Sequence, residues 1–219
     1  MGGDARGVRA ILWDNDGVLV DTERLYFEAT RDILATVGVE LTQEMFVDLL
    51  LVQSRGAWHL AEAKGVSPAQ VERLREARND RYGHLLESEP LVMDGVKDTL
   101  ERLYGRFIMG VVTSSRRDHF DIIHRRSGLL KYFSFAVTNE DYTHPKPDPE
   151  PYLVGIERTR VAPSECVVVE DSQRGLTAAV RAGLRCYVAP HDITRGQAFD
   201  GAYKILHHVS EVADDLLEV

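Results

Sequence analysis

The stretch Val8-Arg9-Ala10-Ile11-Leu12-Trp13-Asp14-Asn15-Asp16-Gly17-Val18-Leu19-Val20-Asp21-Thr22-Glu23 decides how the chain reads. Its first six residues form a short apolar run with β-branched and aromatic members, the pattern of a buried strand. Two carboxylates, two residues apart, follow at once, and Gly17 lets the backbone turn tightly behind them. In an open parallel sheet, ligands bind beyond the carboxyl ends of the strands, so these acids are placed for chemistry. Near-extended backbone predicts Asp14 and Asp16 on one side and the Asn15 side chain facing away from them. A calcium loop fits poorly: it would put Leu12 at the first ligand position and a strand where a helix belongs.

Similar apolar runs recur at Phe107–Val112, Phe135–Val137, Cys166–Val169 and Cys186–Val188. Helical patterns separate them. Asp94 is placed to cap a helix carrying Val96, Leu100 and Leu103, and Asp148-Pro149 reads as a cap followed by the first helical residue. From Ser172 to Ala182 the pattern puts Leu176, Ala179 and Val180 on one face, with Gly183 ending the helix. Strands alternating with helices predict a parallel sheet covered on both faces.

Residues 23–88 have another texture, with four helical segments and no comparable strand. The first carries Tyr26, Ala29, Ile33, Leu34 and Val37 and stops at Gly38; the second follows Thr42 and carries Met45, Phe46, Leu49 and Leu50. The third follows Ser54, has Arg55 just inside its start, carries Trp58, Leu60 and Ala61, and ends at Gly65. The fourth opens with Ser67-Pro68-Ala69-Gln70, a capping box with proline at the first helical position. The chain therefore divides into an α/β core, residues 1–21 and 90–219, and a helical bundle, residues 22–89, inserted after the first strand.

Among 219 residues, 26 Lys and Arg stand against 35 Asp and Glu, a formal charge of −9. Acidity without a basic stripe argues against nucleic acid. A hydrophobic content of 44% suits a globular fold rather than disorder. No apolar run approaches the ~20 residues that span a bilayer. Met1 to Arg9 lacks the apolar centre of a signal peptide, so a cytoplasmic protein without membrane partners is expected. Cys166 and Cys186 lie in apolar runs and read as reduced core thiols.

Three further stretches carry chemistry. Glu170-Asp171-Ser172 repeats the motif of paired acids at a strand end, with Asp171 or Ser172 also fit to cap the next helix. Thr113-Ser114-Ser115 ends another strand with hydroxyls and free N–H groups, which suit a phosphate. Lys146 lies in His144-Pro145-Lys146-Pro147-Asp148-Pro149, where prolines stiffen the backbone around it.

Taken together and in this order, these motifs resemble those of the haloacid dehalogenase (HAD) superfamily, in the branch of phosphatases and β-phosphoglucomutase relatives with a helical cap after the first strand. The resemblance runs from Arg9 to about Leu217. It implies a Rossmann-like three-layer parallel-sheet core with an inserted four-helix-bundle cap. It implies Asp14 as nucleophile, Asp16 as general acid/base, Thr113 holding the phosphoryl group and Lys146 steadying it. Asp14, Glu170 and Asp171, with the backbone carbonyl of Asp16, would hold Mg²⁺. Asn15 through its backbone N–H, Thr113, Ser114, Lys146 and the cap residue Arg55 would meet the substrate, a small phosphorylated metabolite over which the cap closes.

Four carboxylates against one ammonium make such a site net negative, so a divalent cation is needed before a phosphate can approach. Haloacid dehalogenases lack an acid at the position of Asp16, and its presence here favours phosphoryl transfer. Sugar-phosphate mutases of this branch carry a histidine where this chain has Tyr26, which favours hydrolysis over a mutase. A non-catalytic binding protein on the same scaffold is opposed by the intact Asp14, Asp16, Lys146 and Asp171. Asn15 departs from the bulky apolar residue usual in the family. Tyr26, His59 and Arg78 in the cap, and Arg116 and Arg117 in the core, are further candidates to read the substrate, while His207-His208 reads as surface.

Overall fold

The computed structural model describes residues 7–53 and 55–217. The chain divides into two units, Met1–Asp21 with Val92–Val219, and Thr22–Leu91.

The first unit is built on six strands: β1 Ala10–Trp13, β2 Ile108–Val112, β3 Phe135–Val137, β4 Cys166–Glu170, β5 Arg185–Val188 and β6 Lys204–Ile205. They form one parallel sheet in the order β3-β2-β1-β4-β5-β6. The order reverses at β1, where the chain first builds outward through β2 and β3 and then returns to add β4, β5 and β6. Alternate side chains explain why the strands are apolar throughout. Ala10 and Leu12 face one core with Val112, Val168, Tyr152 and Leu176. The alternate residues Ile11, Trp13, Met109, Val111, Val167 and Val169 are also buried, so both faces are covered. Each such side chain contributes about 1.5–3 kcal/mol relative to leaving it in water.

The second unit contains the helices α1 Glu23–Ala35, α2 Gln43–Phe46, α3 His59–Glu62 and α4 Pro68–Ser88. Its own core joins Leu34, Val39, Leu41, Phe46, Trp58, Ala61 and Val71. Thr42 caps α2 by accepting from the Met45 N–H at 3.2 Å, and a wider π-helical turn, Val47–Val52, continues it. At the start of α4 the Ser67 N–H and hydroxyl both donate to Gln70 Oε1, at 3.1 and 2.9 Å. The third predicted helix is much shorter than the pattern suggests. Arg55 is not inside it but on the exposed segment before it, its N–H donating to the Leu49 carbonyl at 2.7 Å. The cap expected at Ser54 lies outside the described residues.

Back in the first unit, the remaining helices are α5 Val96–Leu103, α6 Arg117–Ser127, α7 Glu150–Thr159, α8 Gln173–Arg181 and α9 Glu211–Leu217. Asp94 does not cap α5. Gly95 occupies the capping position with φ 72°, and Asp94 is left exposed. Asp148 does accept a capping bond, from the Glu150 N–H at 2.9 Å, but Pro149 precedes the helix rather than opening it. On α8 the buried stripe centres on Gly175, Leu176, Ala178 and Ala179, which leaves Val180 at its margin and 46% exposed rather than in the core. No helix among the described residues is long and apolar enough to cross a membrane.

Candidate active site

The sheet register gathers the sequence motifs at one edge. Trp13 lies opposite Val111 on one side and Val169 on the other. Asp14, Thr113 and Glu170 therefore emerge together at the carboxyl end of the sheet, where the strand order reverses. The Asp14 N–H donates to the Val169 carbonyl and the Thr113 N–H to the Val137 carbonyl, both at 2.9 Å. Behind Asp14 the Asn15 carbonyl accepts from the N–H groups of Leu19 and Val20 at 2.9 and 3.1 Å, closing the turn. Gly17 sits at φ 83°, and a Cβ there would stand 2.6 Å from Asp171 Oδ2. The glycine is thus required by both backbone and space.

Lys146 is the centre of charge. Its ammonium is buried and donates to Asp14 Oδ1 at 2.6 Å, Glu170 Oε1 at 2.8 Å and the Val112 carbonyl at 3.0 Å. All three protons are used, and the group lies 4.7 Å from the centre of the Tyr152 ring. Burial opposes its charge, but the carboxylates of Asp14 and Glu170 outweigh this and hold it protonated. Burial together with the Glu170 charge pushes the Asp14 carboxyl well up, with Lys146 acting the other way. Glu170, also buried, is carried below its ordinary range by Lys146 and by its hydrogen bonds. Its Oε1 accepts from Tyr152 at 2.7 Å, and its Oε2 from the Asp171 N–H and the Ser172 hydroxyl, each at 3.1 Å.

Asp14, Glu170 and Asp171 each offer a carboxylate oxygen within 4.8 Å of the others. Three buried acids against one ammonium form a donor set suited to a hard divalent cation. Asp171 Oδ2 also lies 3.0 Å from His191 Nε2. The next helix is capped by Ser172, whose hydroxyl accepts from the Gly175 N–H at 3.1 Å. A Cβ at Gly175 would overlap the Glu170 carboxylate.

The second acid of the first motif has its own surroundings. Asp16 Oδ2 accepts from the Thr113 hydroxyl at 2.9 Å and the Ser115 hydroxyl at 2.8 Å. Thr113 is thus turned toward Asp16. The Asn15 side chain does not face away from the acids. Its Nδ2 donates to Asp16 Oδ2 at 3.3 Å, while its Oδ1 meets His124 Nε2 at 2.8 Å. The strand alternation stops at the turn, and a fully buried amide has to find partners wherever the packing offers them.

Two of the arginine candidates in the core are engaged elsewhere. Arg116 pairs with Asp118 at 2.8 Å and Arg117 with Asp141 at 3.3 Å. Ser114 is half-buried beside Thr113. Arg55 belongs to the helical unit and is exposed there. In that unit the Arg78 guanidinium lies 4.3 Å from the Tyr26 ring centre, and His59 is half-buried. His207 and His208 are exposed.

Ser115 belongs to the hydroxyl run of the sequence, but Tyr152, His124 and His191 belong to none of its motifs. These three lie on α6, on α7 or beyond β5, and only the fold brings them to the acids.

A model of the haloacid dehalogenase-like hydrolase family matches residues 11–189. The phosphorylated carbohydrates phosphatase of Thermotoga maritima is 35% identical over 198 residues, 87% of this chain and 89% of that protein. The fructose-1-phosphate phosphatase YqaB of Escherichia coli (strain K12) is 28% identical, over 80% of this chain and 92% of its own. The crystal structure of CbbY from Rhodobacter sphaeroides in complex with phosphate superposes with a TM-score of 0.80 at 26% identity, covering 94% of this chain and 96% of that one. Sheet order, motif placement and these likenesses agree: the chain belongs to the haloacid dehalogenase-like hydrolase family, among its phosphatases.

Proposed function

We propose that this protein hydrolyses a small phosphomonoester, a phosphorylated sugar by its similarity to sugar-phosphate phosphatases, through a phosphoryl group carried on Asp14. The observation that carries the reading is the buried Lys146 ammonium shared between Asp14 and Glu170 at the carboxyl edge of the sheet. That arrangement fixes one carboxylate oxygen and leaves the group as a nucleophile held in one orientation.

Asp14 attacks phosphorus in line with the departing oxygen and becomes an aspartyl-phosphate. Asp16, cradled by Thr113 and Ser115, gives its proton to the leaving alkoxide and later takes one from the water that cleaves the intermediate. Lys146 offsets the charge of both the nucleophile and the phosphoryl oxygens. Ser114 and the backbone of the turns after β1 and β2 would meet those oxygens.

The acids fit Mg²⁺. Asp14 and Asp171, with the Asp16 carbonyl, would hold it; Glu170, already accepting from Lys146, Tyr152 and Ser172, would add mainly charge. When bound, the ion supplies Lewis-acid and charge-screening chemistry to the phosphoryl group. Hydrolysis is favoured over mutase chemistry by Tyr26, whose ring is packed edge-on against Tyr82 at 5.2 Å and carries no titratable nitrogen.

Incubating the protein with p-nitrophenyl phosphate and a panel of sugar phosphates in Mg²⁺ tests the reading. Release of inorganic phosphate from at least one ester supports it. Return of the phosphoryl group to another hydroxyl of the same sugar, or no release from any ester, overturns it.

A further inference from the structure

One polar side chain at this edge has no task in the chemistry above. The backbone carbonyl of Asn15 closes the turn, and its side-chain amide is fully buried. Both ends of the amide are engaged. Nδ2 points at Asp16 Oδ2, so Oδ1 must face His124, and His124 must present a proton on Nε2. His124 Nδ1 is then left to accept from the Ser127 hydroxyl at 3.0 Å. That hydroxyl oxygen in turn accepts from the Leu129 N–H at 3.1 Å, just past the end of α6. The imidazole is buried and packs against Phe120 with ring centres 4.4 Å apart and the planes tilted by 51°. The links from Asp16 to the imidazole are thereby set, while the Ser127 hydroxyl also lies 3.4 Å from the His124 carbonyl.

We propose that His124 and Asn15 form a hydrogen-bonded strut that sets the orientation of the Asp16 carboxyl, which makes both of them positioning residues for proton transfer to the leaving group. The inference rests on Asp16 being the acid/base. Its physical basis is the difference between the three donors on Oδ2. The hydroxyls of Thr113 and Ser115 can redirect their protons as the carboxyl turns, although the Thr113 oxygen is itself held by the Ser115 N–H at 2.9 Å. The Asn15 amide is planar and anchored at its far end on His124, so it favours one angle. Burial supports the geometry by pushing His124 down to about 4, so the ring stays neutral and keeps a single N–H.

The test separates orientation of the acid from simple loss of structure. The ratio kcat/KM reports the steps up to departure of the alcohol, so it excludes hydrolysis of the intermediate. An alkyl leaving group needs a proton there, whereas p-nitrophenolate leaves without one. His124→Phe is therefore expected to lower kcat/KM for a sugar phosphate by about tenfold or more, with p-nitrophenyl phosphate nearly unchanged. Equal losses on both esters, or no loss on either, would overturn the strut. A second measurement needs no variant and no turnover. Nitrogen-15 spectra of the wild-type imidazole are expected to show the His124 proton on Nε2, and a proton on Nδ1 would refute the proposal. Wild-type protein inactive on every ester would instead fail the phosphatase reading, and the spectra would still decide whether the strut exists.

Discussion

Lys146 shows what a single residue can reveal. A lysine is rarely buried unless it is paired, and here it is held by two carboxylates and a carbonyl. Its importance was legible because three prolines bracket it. Lys146→Met would leave Asp14 and Glu170 buried side by side without their cation. We expect a loss of about 3–5 kcal/mol in urea unfolding, together with loss of turnover. Unchanged stability would mean that the pair does not depend on the ammonium. Asn15 was the opposite case: its strangeness was visible, but its partner stands on α6 and no spacing rule connects the two. His124 also makes stability depend on pH. Its folded value of about 4 lies below the ordinary 6.5, so the unfolded chain binds the extra proton first as pH falls. Stability is full above about pH 6.5 and declines toward pH 4, by about 3 kcal/mol from this group. Denaturation of the wild type and His124→Phe at pH 7 and pH 4.5 checks this. The variant is expected to lose less on acidification, and parallel losses would contradict it.

At the scale of elements, the strand ends and the caps at Thr42, Ser67 and Ser172 were readable because they are local. Ser172 caps α8 and also donates to Glu170 Oε2, so one hydroxyl joins helix start to site. Ser172→Ala is expected to cost about 1–2 kcal/mol, seen as a lower Tm. Gly175→Ala should cost more and impair turnover, because its Cβ overlaps the Glu170 carboxylate. Equal Tm values for the two variants would show that the carboxylate can move aside. What was not legible depended on tertiary packing. Gly95 displaced Asp94 as the cap of α5 through a left-handed backbone. The margin of the buried stripe on α8 was set by what packs on it, not by periodicity, and Val180 fell outside. The third helix shrank to His59–Glu62, since a short pattern cannot by itself set where a helix begins.

For the whole molecule, the net charge of −9 divides between a solvated surface and a cluster of acids at one edge of the sheet. Parallel topology was legible because apolar runs alternate with helical patterns, and the crossing at β1 explains why motifs far apart in sequence meet. The balance of three buried acids against one ammonium predicts that Mg²⁺ binds the folded chain preferentially. Tm should therefore rise with Mg²⁺ concentration. Asp171→Asn should lose that rise, and excess EDTA should abolish phosphate release; full turnover in EDTA would remove the metal from the scheme.

The central claim is that Asp14 carries the phosphoryl group. The direct measurement is to quench the protein during turnover of a phosphomonoester and reduce it with borohydride, which converts an aspartyl-phosphate to homoserine. Peptide mass spectrometry is predicted to find homoserine at position 14 only when ester and Mg²⁺ are both present. Steady phosphate release with aspartate 14 unmodified, or homoserine at any other position, would contradict the account.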